Sequence, residues 1–434
     1  MRDGSQGEKG LIRNSICILL ALTFALVSCG RTAPSPNPPI SESPLDERIQ
    51  RSENGLIPLT TEGEIEGAEP KSITDRMEHY GVPGLSIAVI NDFQIEWAMG
   101  YGTLVAGESE LVSDNTLFHA GSIAKPVSAA AALALVERDL LDLDEDVNEV
   151  LLSWRVPENE NTDEEKVTLR RLLSHSGGLK DGFTDRSSSD QVPGYTTSAG
   201  ESPTITLQQL LDGDTGVDVD GATRVTTVPG TSYRYANADY AIVELLMVDA
   251  AQQPFPEFMN DTILTPLGMT SSTFEQPLPD ELRSRASIEH DVRGQPFEGE
   301  RLHFPFLASG GLWTTPSDLA SFAIEIMRTY NRQSDKILSP ELVNEMLSPQ
   351  IDTPMDPLGD YYGLGFQLAE KSLTLVVLHT GGTWGSTCVL WVYPETGQGA
   401  VIMTNSASGQ GMIRFEILLS LAAEYGWPLD SSSE

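Results

Sequence analysis

Apolar and polar positions divide the chain from residue 71 onward into strands near both ends and helices between them. LSIAVI at 85–90 and QIEWAMGYG at 94–102 predict two strands of a meander, and KSITDRMEHYGVPG before them predicts a short helix stopped by Gly81 and Pro83. A helix is predicted for KPVSAAAALALVERDLL from Lys125, and further helices for TLRRLLSHSG, TLQQLLDG, ADYAIVELLMVDAAQ and PFPEFMNDTILTPLG. The pattern then returns to strands: SLTLVVLHTGG, followed by TCVLWVYP and GAVIMTN around a glycine turn at 395–399. MIRFEILLSLAAEY predicts a final helix. Strands, a helical block, strands and a helix make an α+β fold, with a mainly antiparallel sheet flanked by helices and an inserted helical region. Residues 180–227, rich in Ser, Asp, Gly and Thr, read as a long surface excursion.

The first 29 residues follow a different rule. Arg2, Lys9 and Arg13 precede a 12-residue apolar run from Ile16 to Val27, which predicts a secretory signal too short to span a bilayer as a finished helix. Its end, Leu26-Val27-Ser28-Cys29-Gly30, resembles the lipobox of bacterial lipoproteins, which implies cleavage before Cys29 and lipidation of its thiol. An ordinary signal with an incidental cysteine is the alternative. Residues 30–70, opening RTAPSPNPPISESPLDE, read as a disordered tether, 71–428 as the folded domain and 429–434 as a tail. The expected product is exported and lipid-anchored to the bacterial cell envelope.

Charge and cysteine content narrow the function. The net charge is −36, with 63 acidic residues against 27 basic ones, so nucleic acid and anionic membrane surfaces are disfavoured partners. Of the three cysteines, Cys17 leaves with the signal and Cys29 carries lipid, so Cys388 stands alone in a strand and reads as buried packing. No cysteine metal site is possible, and His79, His119, His290 and His303 have no metal-ligand spacing.

Candidate chemistry begins at FHAGSIAKPV, where Ser122 and Lys125 lie three positions apart at the start of an apolar helix. Positions i and i+3 share a helix face, and a serine in the first turn sits where backbone N–H groups are unpaired and the dipole favours negative charge. Serine needs a neighbouring base, and a lysine desolvated in a pocket can take its proton. Alone, the pattern also fits an N-capping serine with a solvated lysine. Two further segments add to it. PGTSYRYANADYAIVELL places Tyr235-Ala236-Asn237 at a helix start, and LHTGGTWG places His379-Thr380-Gly381-Gly382 at a strand end.

Together these boxes resemble the serine hydrolases grouped with class C β-lactamases, D-Ala-D-Ala carboxypeptidases and family VIII carboxylesterases. LRRLLSHSGGL, LTPLGM and ASGGLWTTPSDLASF support the resemblance, which covers residues 71–428. It implies a β-lactamase/transpeptidase-like fold without metal or organic cofactor. By the resemblance Ser122 is the acylated nucleophile, Lys125 its proton partner and Tyr235 the proton shuttle, while Asn237 holds the substrate carbonyl or Lys125. His379, Thr380, Gly381 and Gly382 form the substrate-binding strand, and the N–H groups of Ser122 and Gly382 form the oxyanion hole. His175 reads instead as a structural hydrogen-bonder, and Thr315, Pro316 and Asp318 as a capped helix start.

His379 departs from the lactamase pattern, which has a lysine there. Losing that cation weakens carboxylate recognition by about 1–2 kcal/mol. The expectation is therefore a carboxylesterase-like hydrolase acting on a small ester or amide, monomeric beside a membrane. D-Ala-D-Ala carboxypeptidase, D-aminopeptidase or weak β-lactamase activity is one alternative, and a non-catalytic penicillin- or peptidoglycan-binding sensor is another. Neither G-x-S-x-G nor H-E-x-x-H occurs, which argues against an α/β-hydrolase and a metalloprotease.

Overall fold

In a computed structural model, described for residues 43–428 apart from 61–62, 65–66, 181–204, 215–221, 298–303, 355 and 372, eight strands form one antiparallel sheet. They are β1 Gly84–Asn91, β2 Gln94–Gly102, β3 Ile351–Asp352, β4 Tyr361–Tyr362, β5 Gln367–Lys371, β6 Thr374–Gly382, β7 Thr387–Tyr393 and β8 Gln398–Thr404. Their spatial order is β2-β1-β8-β7-β6-β5-β4-β3, so strands from the two ends of the domain meet where β1 pairs with β8. The signal, Cys29, His303 and the tail lie outside the described residues. Among those described, no helix is long and apolar enough to cross a membrane.

Both faces of the sheet are covered, which is why its strands read as nearly continuous apolar runs. Side chains alternate between two cores: Ala88, Ile90, Val401, Met403, Leu390 and Val377 face one, while Leu85, Ile87, Val89, Ala400, Ile402 and Val376 face the other. The second core is closed by α1 Pro44–Asn54, α2 Ile73–Tyr80 and the last helix, Met412–Tyr425.

The first core is built on α3, Ala124–Glu137, in which Ala129, Ala130, Ala131 and Ala132 are all fully buried. Such a helix lies at the centre of a domain, and its small side chains let neighbours approach closely. Those neighbours are α4, Asn237–Ala251, and α5, the single turn Leu307–Gly310. Pro126 sits in the first turn of α3, where its missing N–H leaves no partner unsatisfied.

The expected tether is shorter than residues 30–70. Ser43 caps α1, its side chain accepting from Asp46 N while Asp46 accepts from Ser43 N, and Pro44 takes the first helical position. The helix is held on the last helix by a two-pronged Arg51–Glu424 contact at 2.9 and 2.8 Å and by Ser420 Oγ donating to Ser52 O at 2.7 Å. The Ser-Pro pair that suggested disorder is here a helix start, and Leu45 and Ile49, four residues apart, supply its apolar stripe. The predicted excursion is pinched at its neck by a two-residue ladder pairing Leu179–Lys180 with Arg224–Val225.

Candidate active site

Ser122 lies in a 3-10 turn, Gly121–Ile123, that runs directly into α3, so Lys125 follows on the next turn facing the same way. Lys125 is fully buried, and its Nζ lies 3.1 Å from Ser122 Oγ, 2.7 Å from Asn237 Oδ1 and 3.0 Å from the Ser309 carbonyl. Three acceptors around one amino group fix its position. Ser309 Oγ in turn donates to Asn237 Oδ1 at 2.6 Å, so α3, α4 and α5 are tied together at this point.

Tyr235 precedes α4 and is the exposed member of the set. Lys125 Nζ sits 4.7 Å from the centre of its ring, within cation–π range. His175 packs against the same ring, with ring centres 4.3 Å apart. His175 ends its helical turn at φ +54° and is buried, with Nδ1 2.7 Å from Asp239 Oδ2. Burial, with the charge of Lys125 nearby, holds it neutral well below the usual histidine range. This is a structural hydrogen-bonder, as its sequence position indicated.

The strand β6 supplies the other wall. Gly121 adopts φ +52°, and a Cβ there would lie 2.7 Å from Gly382 N; a Cβ on Gly381 would lie 2.0 Å from the Ala120 carbonyl. Only glycine permits this approach, which sets the N–H of Ser122 and that of Gly382 on adjoining segments. Gly381 therefore packs against the nucleophile loop and lines neither adjoining cavity, whereas Thr380 and Gly382 do face the larger one. The turn after Gly382 is fixed by Thr383, whose hydroxyl donates to buried Glu289 and accepts from Gly385 N and Ser386 N at 3.1 and 3.0 Å.

Two cavities open from Ser122. The larger, about 880 Å³, runs past Tyr233, Tyr235 and Thr380 to Asp352 and Asp356; the smaller, about 220 Å³, is walled by Phe304, Phe306 and Trp384. Among the described residues no group of His, Cys, Asp and Glu is arranged to hold a metal ion.

Residues 71–422 match the model of the family described as Beta-lactamase. The chain belongs to the beta-lactamase family. This is a family of serine hydrolases, and the sheet, its flanking helices and the Ser-Lys-Tyr cluster are what such an enzyme requires. Protein flp of Staphylococcus aureus (strain N315) is 22% identical over 77% of this chain, which spans 62% of that protein's length. Penicillin-binding protein 4 of Amycolatopsis lactamdurans is 27% identical over 76% of this chain and 82% of its own. A solved octameric penicillin-binding protein homologue from Pyrococcus abyssi superposes with a TM-score of 0.66 at 24% identity, covering 82% of this chain and 76% of that one.

Within this beta-lactamase-family site, His379 is the departure with chemical consequences. It is buried, with Nδ1 2.6 Å from the Thr380 carbonyl and Nε2 2.9 Å from the Tyr362 hydroxyl. Nδ1–H donates to the carbonyl and Nε2 accepts from the phenol. Burial, with Lys125 nearby, pushes its pKa down to about 3, so at neutral pH it brings no cation to the cleft.

Sequence reasoning missed Ser309, Glu289 and Thr383 as partners. Ser309 lies inside the family phrase ASGGLWTTPSDLASF, so its position was marked although its role was not. In the same phrase Thr315 caps the helix Pro316–Tyr330 as expected, but the Asp318 carboxylate turns to Ser271 N and Ser272 Oγ. Cys388 is inert packing: it is fully buried and its thiol is pushed up to about 12.

Proposed function

We propose that this serine hydrolase is a carboxylesterase-like enzyme, exported and lipid-anchored through Cys29, that cleaves small uncharged esters through an acyl-enzyme at Ser122. Lys125 takes the Ser122 proton as Oγ attacks the carbonyl carbon. The oxyanion is received by the N–H groups of Ser122 and Gly382, and Tyr235 delivers a proton to the leaving oxygen. Water, activated by the same Lys125–Tyr235 pair, then releases the acid and regenerates the serine. Asn237 and the Ser309 carbonyl keep Lys125 in place through the cycle.

The observation that carries the ester reading is the state of His379. A D-Ala-D-Ala terminus and a β-lactam both present a carboxylate, and neutral His379, engaged on both ring nitrogens, offers it no charge. Asp352 and Asp356 line the same cleft, and no lysine or arginine does among the described residues. The electrostatics favour a neutral leaving group.

Steady-state assays of the full chain on a short-chain nitrophenyl ester, a chromogenic cephalosporin and a D-Ala-D-Ala peptide test this directly. Ester turnover that exceeds the other two at least tenfold supports it. Preferred cleavage of the peptide or the cephalosporin overturns it in favour of wall processing or resistance, and a burst of one equivalent without turnover overturns it in favour of a sensor. Anchoring is checked by membrane fractionation, with Cys29→Ala expected in the soluble fraction. Gel filtration of that variant is expected to show a monomer.

A further inference from the structure

The two cavities that meet at Ser122 also share Gly382 and differ in every other lining residue. Since those two residues carry the nucleophile and the oxyanion donors, a carbonyl held between them sends one substituent into each cavity. The direction is set by the proton that the leaving oxygen needs. Tyr235 borders only the larger cavity, whereas Asn237 and Ser309 border only the smaller.

On the hydrolase reading above, the leaving group therefore occupies the large, acid-lined cleft. We propose that the smaller cavity is the acyl pocket, and that Phe304, Phe306 and Trp384 restrict it to compact apolar acyl groups. Its volume, about 220 Å³ against about 880 Å³ for the cleft, restricts the acyl chain more than the leaving group. Acyl chains of four to six carbons fill it, and a ten-carbon chain does not.

The rings of the wall pack on one another. Phe304 stacks on Trp384 with ring centres 5.6 Å apart and packs on Phe306 at 5.3 Å. Behind it Phe304 contacts His119 at 5.0 Å, and His119 is stacked on Trp313 at 4.9 Å. Phe304 and Phe306 are almost wholly buried, 5% and 7% exposed, so a longer chain cannot displace them cheaply. Trp384 is the partly exposed ring of this wall. It is the residue that sets the length limit.

The test compares nitrophenyl esters of two- to ten-carbon acids with the matching nitrophenyl alkylphosphonates, in wild type, Trp384→Ala and Phe306→Ala. In the phosphonates Ser122 Oγ bonds to phosphorus as nitrophenolate leaves, so the rate reports acyl-side fit whether the natural substrate is an ester or an amide. Both series are expected to peak at four to six carbons and to fall about tenfold or more at ten. Trp384→Ala is expected to raise the ten-to-four-carbon ratio about tenfold, and Phe306→Ala to raise it less. A flat length profile in wild type, or an unchanged ratio in both variants, overturns the acyl-pocket assignment and leaves the hydrolase reading standing. Length-dependent phosphonylation without ester turnover supports the pocket and removes the esterase reading. No reaction with any member of either series overturns both.

Discussion

Two basic side chains are buried on opposite faces of the same sheet, and their surroundings differ. On the face covered by the terminal helices, Arg76 meets the Glu416 carboxylate through two nitrogens, at 2.7 and 2.8 Å. Glu416 also accepts from Tyr80 OH and Leu59 N, each at 2.8 Å. On the other face Lys125 is held by a hydroxyl, a side-chain amide and a carbonyl oxygen, one of them belonging to a serine at the mouth of two cavities. The first arrangement matches charge with opposite charge and stabilises the fold. The second holds an amino group against neutral oxygens, where moving a proton between Nζ and Oγ leaves the packing unchanged. Burial of a basic group is common to both, and what sets Lys125 apart is the hydroxyl among its partners, that of a serine open to two cavities.

Substitutions on the two faces should therefore separate activity from stability. Lys125→Met is expected to cost about 10³–10⁴ in kcat/KM for the preferred ester, with the thermal midpoint nearly kept. Arg76→Ala should do the reverse. Leaving Glu416 buried without its partner costs about 3–5 kcal/mol by denaturant titration, while the folded fraction keeps wild-type turnover. Pairing Arg76→Met with Glu416→Leu should recover much of that loss, because the uncompensated charge is removed. A kcat loss in Arg76→Ala with unchanged stability would erase the distinction between the faces.

Gly381→Ala probes the contact between β6 and the nucleophile loop. The added Cβ meets the Ala120 carbonyl at 2.0 Å, so the two oxyanion donors must move apart, with an expected loss of about a hundredfold in kcat and a smaller change in KM.

The last contrast concerns buried groups that titrate. Glu244 lies under α5, accepting from Ala308 N at 2.8 Å, and its pKa is raised by burial to about 8, far above the ordinary 4.5. Between those values the folded protein keeps a proton that the unfolded chain has released, so stability falls as pH rises from 4.5 through 8. His379 works on the acid side: with a folded value of about 3, the unfolded chain alone gains a proton as pH drops from 6.5 toward 3, and stability falls in that direction. Thermal midpoints across pH 4–9 should show Glu244→Gln flattening the alkaline slope and His379→Gln the acidic one. Parallel slopes in wild type and variant would contradict either assignment.

Much of this was legible in the chain because it is local. The i, i+3 spacing of Ser122 and Lys125, the continuous apolar runs of β1 and β8 and that of α3 depend on neighbouring residues. Ser309 and Glu289 were not legible, because each meets its partner across 94 to 184 residues of chain. The misplaced tether boundary has another cause: the composition of RTAPSPNPPISESPLDE indicates disorder, yet its last four residues begin α1. Capping geometry outranked composition there. PFPEFMNDTILTPLG, read as one helix, is α-helical only over Phe255–Met259 and widens to a π turn at Asn260–Leu264.

The most direct test of the central claim is intact-protein and peptide mass spectrometry after brief exposure of the full chain to a nitrophenyl alkylphosphonate, with ester turnover followed in the same samples. The account requires one equivalent of adduct on Ser122, loss of turnover in step with labelling, and no labelling or turnover in Ser122→Ala. Turnover that survives in Ser122→Ala, or an adduct on another residue that tracks inactivation, would contradict it.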